Sequence, residues 1–457
     1  MLSRRVQQSA LRHPLRTIVG LSLLLRISTC ALLLLSHSVL PTFDPSAALL
    51  DHPLHPLLQP FVRWDTVHFL NTALNPSGYG AHEQSAAFTP GISLGVLKGG
   101  GTLLAWLSRR DKAGADQAVL AGILATFVAT TGASLLLYRL TFRLFPSSPR
   151  SFALLSSTLF LLAPARATLH AVPYTEPFAA LFSFGGMLAY SHGHDLGAAL
   201  CWAAGSGFRA QGAVLGVGFF GWKYVVRRPF RSGRVSLSTL LTSLPRFFLL
   251  SLLSALPFLV FERYIASLYC LPAGGGRPWC DSWGQLSYGW IQREYWNIRP
   301  FAYWTPLQLP NFALAAPVLL LSFSTLYRFY RSNLPSIVRF TLPFLPPSLL
   351  PPSTPPRKDR DPLRPLTHPA SPEQTATLTP YMHLYLATSL LLLTTAHVQI
   401  ALRICASEPV AWWGAAELVL LSSTRGGGRQ WGRRWVGYCV VWGTVSVVLW
   451  AVFLPPA

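Results

Sequence analysis

Ten residues, Phe61-Val-Arg-Trp-Asp-Thr-Val-His-Phe-Leu70, set a guanidinium (Arg63), a carboxylate (Asp65) and an imidazole (His68) within about two helical turns. Gly78-Tyr-Gly80 and Glu83-Gln-Ser-Ala-Ala-Phe-Thr-Pro90 follow. Only 16 of the 457 residues are acidic, so carboxylates gathered among aromatics just after the first hydrophobic run are candidates for chemistry. A carboxylate within hydrogen-bond reach of a hydroxyl can take its proton as the oxygen attacks. Basic groups beside a departing phosphate lower the barrier by offsetting its charge. If the segment is helical, Asp65 and His68 share a face. The same residues also suit a structural task, in which Arg63 and Asp65 tie a loop to a membrane surface and Trp64 anchors it at the interface. By themselves the residues leave both readings open.

A second constellation is Ala171-Val-Pro-Tyr-Thr-Glu-Pro177, where Glu176 lies in a turn between two prolines that joins two apolar runs. Proline fixes the backbone on either side, so that carboxylate is held rigidly. It is read as a residue of the substrate site, orienting a hydroxyl or supporting Asp65; a solvent-facing turn is the alternative. A third is the aromatic loop from Tyr295 to Asn311. Trp296, Tyr303 and Trp304 suit either an interfacial belt or a surface on which rings stack, while Gln308 and Asn311 can bind hydroxyls. Glu262 and Arg263 at the end of an apolar run read as an interfacial pair.

These residues need a scaffold, and composition says which kind. The chain is 51% hydrophobic and 12% charged, about half the charged fraction of soluble domains. That predicts an all-α polytopic integral membrane protein. The net charge of +21 sits in short clusters between apolar runs, the pattern of loops kept on the cytosolic side, and excludes a nucleic-acid-binding patch. No His or Cys cluster has structural-zinc spacing, so no metal is expected.

Runs near the 20 residues needed to cross a bilayer are Thr17 to Leu40, Val119 to Phe142, Ser151 to Leu169, Thr239 to Phe261, Asn311 to Tyr330, Tyr381 to Leu402 and Trp435 to Leu454; Phe178 to Tyr190 and Trp412 to Leu421 are shorter. The first is too long for a signal-peptide core and reads as a retained anchor. Arg26 inside it faces other helices or snorkels, with a phosphate contact as the alternative. Ile92 to Leu107, broken by Lys98-Gly-Gly-Gly101, predicts an interfacial or re-entrant segment.

Counting basic residues in short loops orients the chain. Residues 1–16, the arginines at 139, 143 and 150, the 223–234 cluster, the arginines at 328, 331 and 339, and the 425–434 cluster fall on the cytosolic side. Loops 41–117 and 264–310 then lie in the lumen, within a transmembrane core spanning 17–340. For both Arg150 and the 223–234 cluster to be cytosolic, the glycine-rich stretch 196–224 must be a hairpin or re-entrant pair. Residues 341–380, rich in proline and charge, read as a flexible cytosolic linker, and 381–457 as C-terminal transmembrane helices. Cys270 and Cys280 bracket a turn-rich loop and are expected to form a disulfide if it faces an oxidising lumen.

Arg63-Trp-Asp-Thr-Val-His-Phe, Gly78-Tyr, Glu83 and above all Tyr295-Trp-Asn-Ile-Arg-Pro-Phe-Ala-Tyr-Trp-Thr-Pro-Leu-Gln-Leu-Pro-Asn-Phe-Ala-Leu-Ala-Ala-Pro317 resemble the GPI mannosyltransferase 2 family. The likeness runs from the first hydrophobic stretch to the last. It implies a GT-C type helical bundle in the endoplasmic-reticulum membrane with a luminal active site. It implies dolichyl-phosphate-mannose as donor and the glycosylphosphatidylinositol (GPI) precursor as acceptor, with inverting α-1,6 transfer of the second mannose. No cofactor is implied, and the resemblance leaves open whether a small partner membrane protein is required, as in some fungal members. Asp65 takes the place of the catalytic base. Arg63, Trp64, His68, Glu83, Glu176, Arg209, Gln211, Trp304, Gln308 and Asn311 are assigned to substrate binding, with Arg209 clamping the lipid phosphate. Two blocks depart from the family: its Phe-Phe-Pro reads Ala87-Phe-Thr-Pro90, and its Arg-Ser-Asn-Gly reads Arg209-Ala-Gln-Gly212. Other classes fit the composition: a lipid or solute transporter, which more often shows inverted repeats, another dolichyl-phosphate-sugar transferase, or a non-catalytic subunit.

Overall fold

The computed structural model describes residues 4–43, 50, 52–227, 237–271, 276–281, 286–342, 363–369, 371–421 and 429–454. Most of the proline-rich linker, and parts of the 223–234 and 425–434 clusters, lie outside these. Among the described residues every regular element is helical, with no strand. Six helices are long and apolar enough to cross a bilayer: Pro14–Val39, Ala115–Leu144, Leu237–Tyr269, Pro306–Thr341, Pro372–Thr394 and Gln430–Ala451. Val398–Ser407 and Pro409–Leu421, bent by 90° at Glu408, could form a seventh crossing as a broken pair. The all-α polytopic membrane architecture is therefore the one composition predicts.

The first long helix shows how sequence dictates packing. Its buried positions, Ile18, Ser22, Leu25, Thr29, Leu33 and Ser36, recur every three or four residues and so form one stripe. Leu24, Ile27 and Leu35 are more than half exposed on the other side, where only lipid or another apolar surface can cover them. Between helices in lipid, van der Waals fit and small residues replace the hydrophobic drive. At Gly122 an added Cβ would meet Pro173 at 2.6 Å, so glycine there lets the 171–177 turn lie directly on Ala115–Leu144.

The 196–224 stretch is a hairpin. Asp195–Ser206 and Gln211–Phe220 run back along each other, Trp202 stacking on Phe219 at 5.2 Å and Lys223 closing on Asp195 at 2.6 Å. Gly212 sits where a Cβ would lie 2.4 Å from the Ser206 nitrogen and the Trp202 oxygen, which is why the turn after Arg209 requires glycine.

Several predicted boundaries move. The run from Ser151 to Leu169 is helical only over Arg150–Leu161; the chain breaks at Pro164 and resumes at Arg166–His170. Proline lacks an N–H for the helix ladder, and Arg166 instead donates to Thr29 at 2.7 Å. The helix expected from Tyr381 starts at Pro372, because the Ser371 hydroxyl accepts from the Gln374 N–H as an N-cap. It ends at Thr394, so residues up to Leu402 are not part of it. Just before Ser371, Leu366 is fully buried, so this end of the predicted linker is packed.

The bundle has two distinct ends. At one, Gln374 donates to the Leu144 carbonyl and Arg227 pairs with Glu373 and lies over Phe340. At the other, Phe301 and Trp304 donate to the Thr394 and Leu393 carbonyls, and the His55 N–H donates to Asp116. The arginines at 143, 227 and 339 thus gather at one end, and the 52–62 and 296–304 segments at the other.

Candidate active site

Asp65 is delivered by a tight turn. The chain leaves the Gln59–Phe61 turn, buries Arg63, and then takes Trp64 to φ 54°, ψ −131° before the Asp65–Leu74 helix begins. A non-glycine residue in that region costs on the order of 1–3 kcal/mol and persists only when its surroundings impose it. Here Trp64 packs on Phe453, with ring centroids 5.8 Å apart. Arg63, 1% exposed, donates to the Gln59 and Val62 carbonyls at 2.7 and 3.1 Å and lies 4.8 Å over the same Phe453 ring. The consequence is that Asp65 becomes the first residue of a helix, where the dipole favours a negative charge.

Four charges from four separate segments then alternate in a row. Asp65 Oδ2 accepts from Arg403 Nη2 at 3.3 Å; Arg403 Nε donates to Glu176 Oε1 at 2.7 Å; the same Glu176 oxygen accepts from Arg209 Nη1 at 3.3 Å. Exposure rises from the middle of the row to its ends: 1% at Glu176, 15% at Arg403, 20% at Arg209 and 30% at Asp65. A buried charge is tolerated only when it is paired, and alternation neutralises the row. The Arg403 guanidinium also lies 4.6 Å over Tyr174. Burial pushes the Tyr174 phenol well above its ordinary range, and the negative charges of Asp65 and Glu176 act in the same direction.

The row borders a cavity of about 380 Å³, within the roughly 300–1,000 Å³ usual for small-molecule sites. Asp65, Arg209 and Arg403 supply its charge; Phe88, Phe208, Tyr288 and Trp296 supply aromatic faces; Gln292, His397 and Gln399 supply further hydrogen-bonding groups. Tyr288 and Trp296 share one helix. Ser287–Trp296 is anchored by Glu262, which is buried and accepts from the Ser287 hydroxyl at 2.8 Å and the Tyr288 N–H at 3.3 Å. Glu262 is therefore a helix cap and not the interfacial partner of Arg263. Charge for deprotonation, charge for a phosphate, and aromatic and amide surfaces for a sugar thus share one chamber.

Of the site residues predicted from sequence, Trp64, Asp65 and Arg209 line the cavity, and Glu176 stands directly behind. The others lie outside its walls. Arg63 points into the protein, toward Phe453 and His37; burial without a carboxylate partner lowers its guanidinium to about 10. His68 stacks on Phe88 at 5.9 Å, and it is Phe69, one residue on, that faces the chamber. Burial lowers the His68 imidazole. Glu83, 5% exposed, accepts from Trp279 and Tyr295, each at 3.0 Å, and faces Arg277 at 3.5 Å. It clamps the following loop, in which Cys270 and Cys280 form a disulfide with Cα atoms 5.4 Å apart. Gln211 bonds Glu408 and Ser407 at the bent helix pair. Gln308 and Asn311 bond each other, and Asn311 holds Tyr303, which stacks on the cavity residue His397 at 4.7 Å. Trp304, 52% exposed, donates to the Leu393 carbonyl and packs edge-on against Phe301 and Phe312.

Arg403 is the charged residue of the chamber that the sequence did not single out, along with His397 and Gln399 beside it. A lone arginine within the apolar sequence 381–421, five residues before Glu408-Pro409, was the available signal.

Comparison with known proteins is consistent along the chain. A family model described as Mannosyltransferase (PIG-V) matches residues 15–457. A GPI mannosyltransferase 2 of Cryptococcus neoformans var. neoformans is 32% identical over 97% of this chain and 99% of its own length. A GPI alpha-1,6-mannosyltransferase 2 of Cricetulus griseus is 30% identical over 86% of this chain and 82% of its own. A GPI mannosyltransferase 2 of Yarrowia lipolytica is 26% identical, with 91% and 92% covered.

Proposed function

The chain belongs to the mannosyltransferase (PIG-V) family, and on that premise we propose that it adds the second mannose, α-1,6-linked, to the GPI precursor, with dolichyl-phosphate-mannose as donor. It is a multi-pass membrane enzyme of GPI-anchor assembly, and the family implies the endoplasmic reticulum. The observation that carries the reading is the Asp65 carboxylate on the wall of a chamber that also presents Arg209 and aromatic surface.

In this reading the acceptor's hydroxyl oxygen attacks the anomeric carbon as Asp65 takes its proton. A new carbon–oxygen bond forms on one face of the sugar. The bond to phosphate breaks on the opposite face, and dolichyl phosphate leaves with the electron pair, its charge offset by Arg209. The configuration inverts, and the charge is redistributed along a row of already paired side chains. Phe88, Phe208, Tyr288 and Trp296 are placed for the sugar rings.

The luminal assignment draws on charge distribution. The end of the bundle that gathers Arg143, Arg227 and Arg339 is the cytosolic one by the positive-inside rule. The chamber lies with the 296–304 segment and the Thr394 end, and so opens to the lumen.

Loss of this protein should cause a GPI precursor bearing one mannose to accumulate, and wild-type chain should clear it. Mass analysis of the glycolipid decides the matter: a precursor with no mannose, or with two, would assign the enzyme to a different step.

A further inference from the structure

The charge row is most exposed at its two ends and most deeply buried at Glu176. We propose that Arg403 and Glu176 are positioning residues that set the distance and angle between the base Asp65 and the phosphate-facing Arg209. This rests on the reading of Asp65 as base.

The reasoning begins from the reaction's geometry. An inverting displacement needs a base on one face of a carbon and stabilisation of the leaving group on the other, so two side chains must be held a fixed span apart. Asp65 heads one short helix, and Arg209 lies in the turn between Asp195–Ser206 and Gln211–Phe220. Among the described residues Asp65 pairs with Arg403 and Arg209 with Glu176, and the Arg403–Glu176 bond joins the two pairs.

Both inner residues are built for rigidity. Arg403 uses two edges of its planar fork at once, Nε to Glu176 and Nη2 to Asp65, which the single ammonium of a lysine cannot reproduce. Its flat face rests on Tyr174. Glu176 opens a helix with Pro177 beside it, and a single oxygen receives both arginines. The 90° bend between Val398–Ser407 and Pro409–Leu421 has a function here: Arg403 lies on the segment leading into that bend, beside the cavity residues His397 and Gln399.

The test uses the full-length membrane enzyme, with mannose transfer from dolichyl-phosphate-mannose normalised to protein that elutes as a single folded peak in detergent. The variants are Arg403→Lys, Arg403→Gln, Glu176→Gln, Asp65→Asn and the double variant Asp65→Asn with Arg403→Gln. A misplacement of about 1 Å costs about 100-fold, so Arg403→Lys should lower kcat by about that factor while KM for donor and acceptor stays within about threefold. Glu176→Gln, which keeps shape but loses charge, should fall in the same direction by less. The double variant should be no worse than Asp65→Asn, since positioning a base that is absent changes nothing.

A raised donor KM with kcat retained would make Arg403 a phosphate contact and overturn the proposal. So would losses that multiply in the double variant, or losses that vanish on normalisation to folded protein. Full activity of Asp65→Asn would refute the base assignment instead, a result separable from all of these.

Discussion

Replacing Asp65 with asparagine should abolish transfer while leaving the protein intact, and the structure sets both magnitudes. Asparagine keeps the size and one acceptor oxygen but is no base. Asp65 is 30% exposed, and its ion pair is a 3.3 Å contact to Arg403. Arg403 keeps its shorter 2.7 Å bond to Glu176, so no bare cation is left buried. The stability cost is therefore that of one charged hydrogen bond weakened by partial exposure, about 1 kcal/mol. Activity behaves differently. Loss of a positioned general base costs about 10²- to 10⁴-fold, which is about 2.7–5.4 kcal/mol of barrier at 1.36 kcal/mol per tenfold. The assay is incorporation of labelled mannose into the one-mannose GPI precursor in microsomes lacking endogenous activity, with thermal melting of the detergent-solubilised protein alongside. Retention of more than a tenth of wild-type transfer by a normally folded Asp65→Asn protein would falsify the mechanism. So would a loss of transfer matched by a loss of folded protein.

Arg63 offers a contrast two residues away. It faces inward and holds the Trp64 turn, so Arg63→Gln should lower stability by about 2–4 kcal/mol through two charged hydrogen bonds and a cation–π contact. Donor KM in the surviving protein should stay within twofold, and a selective rise in donor KM at unchanged melting temperature would return Arg63 to the substrate site. Gly212→Ala drives a methyl to 2.4 Å from backbone atoms of Trp202 and Ser206, which cannot rotate aside. Overpacking of this kind costs about 1–3 kcal/mol, and an unchanged melting curve would show the hairpin to be looser than described.

The helices were legible because each carries its environment locally. The stripe from Ile18 to Ser36 repeats at helical spacing, and the glycines of 196–224 announce close packing, so both the anchor helix and the hairpin follow from periodicity and charge counting. Boundaries were less legible where a cap or a break decides them. Ser371-Pro-Glu-Gln374 carries the start of its helix in plain view, whereas the break after Thr394 occurs in a run that stays apolar to Leu402. Of the site, Asp65, Glu176 and Arg209 stood out as charges in apolar surroundings. Glu83, Gln308 and Asn311 stood out equally, but they brace the loop and the layer behind His397.

From its order of residues alone, this chain is committed to a lipid environment, to helices, and to a few carboxylates at one end of them, because hydrophobic spacing and the cost of burying charge act over a turn or two. Which charge meets which is another matter. Arg403 reaches Asp65 across 338 positions, and Arg63, only two residues from Asp65, is turned away from the chamber by the backbone at Trp64. Those outcomes depend on how distant segments pack around Glu176 and Phe453, since an ion pair forms only where geometry brings its partners within a few ångströms.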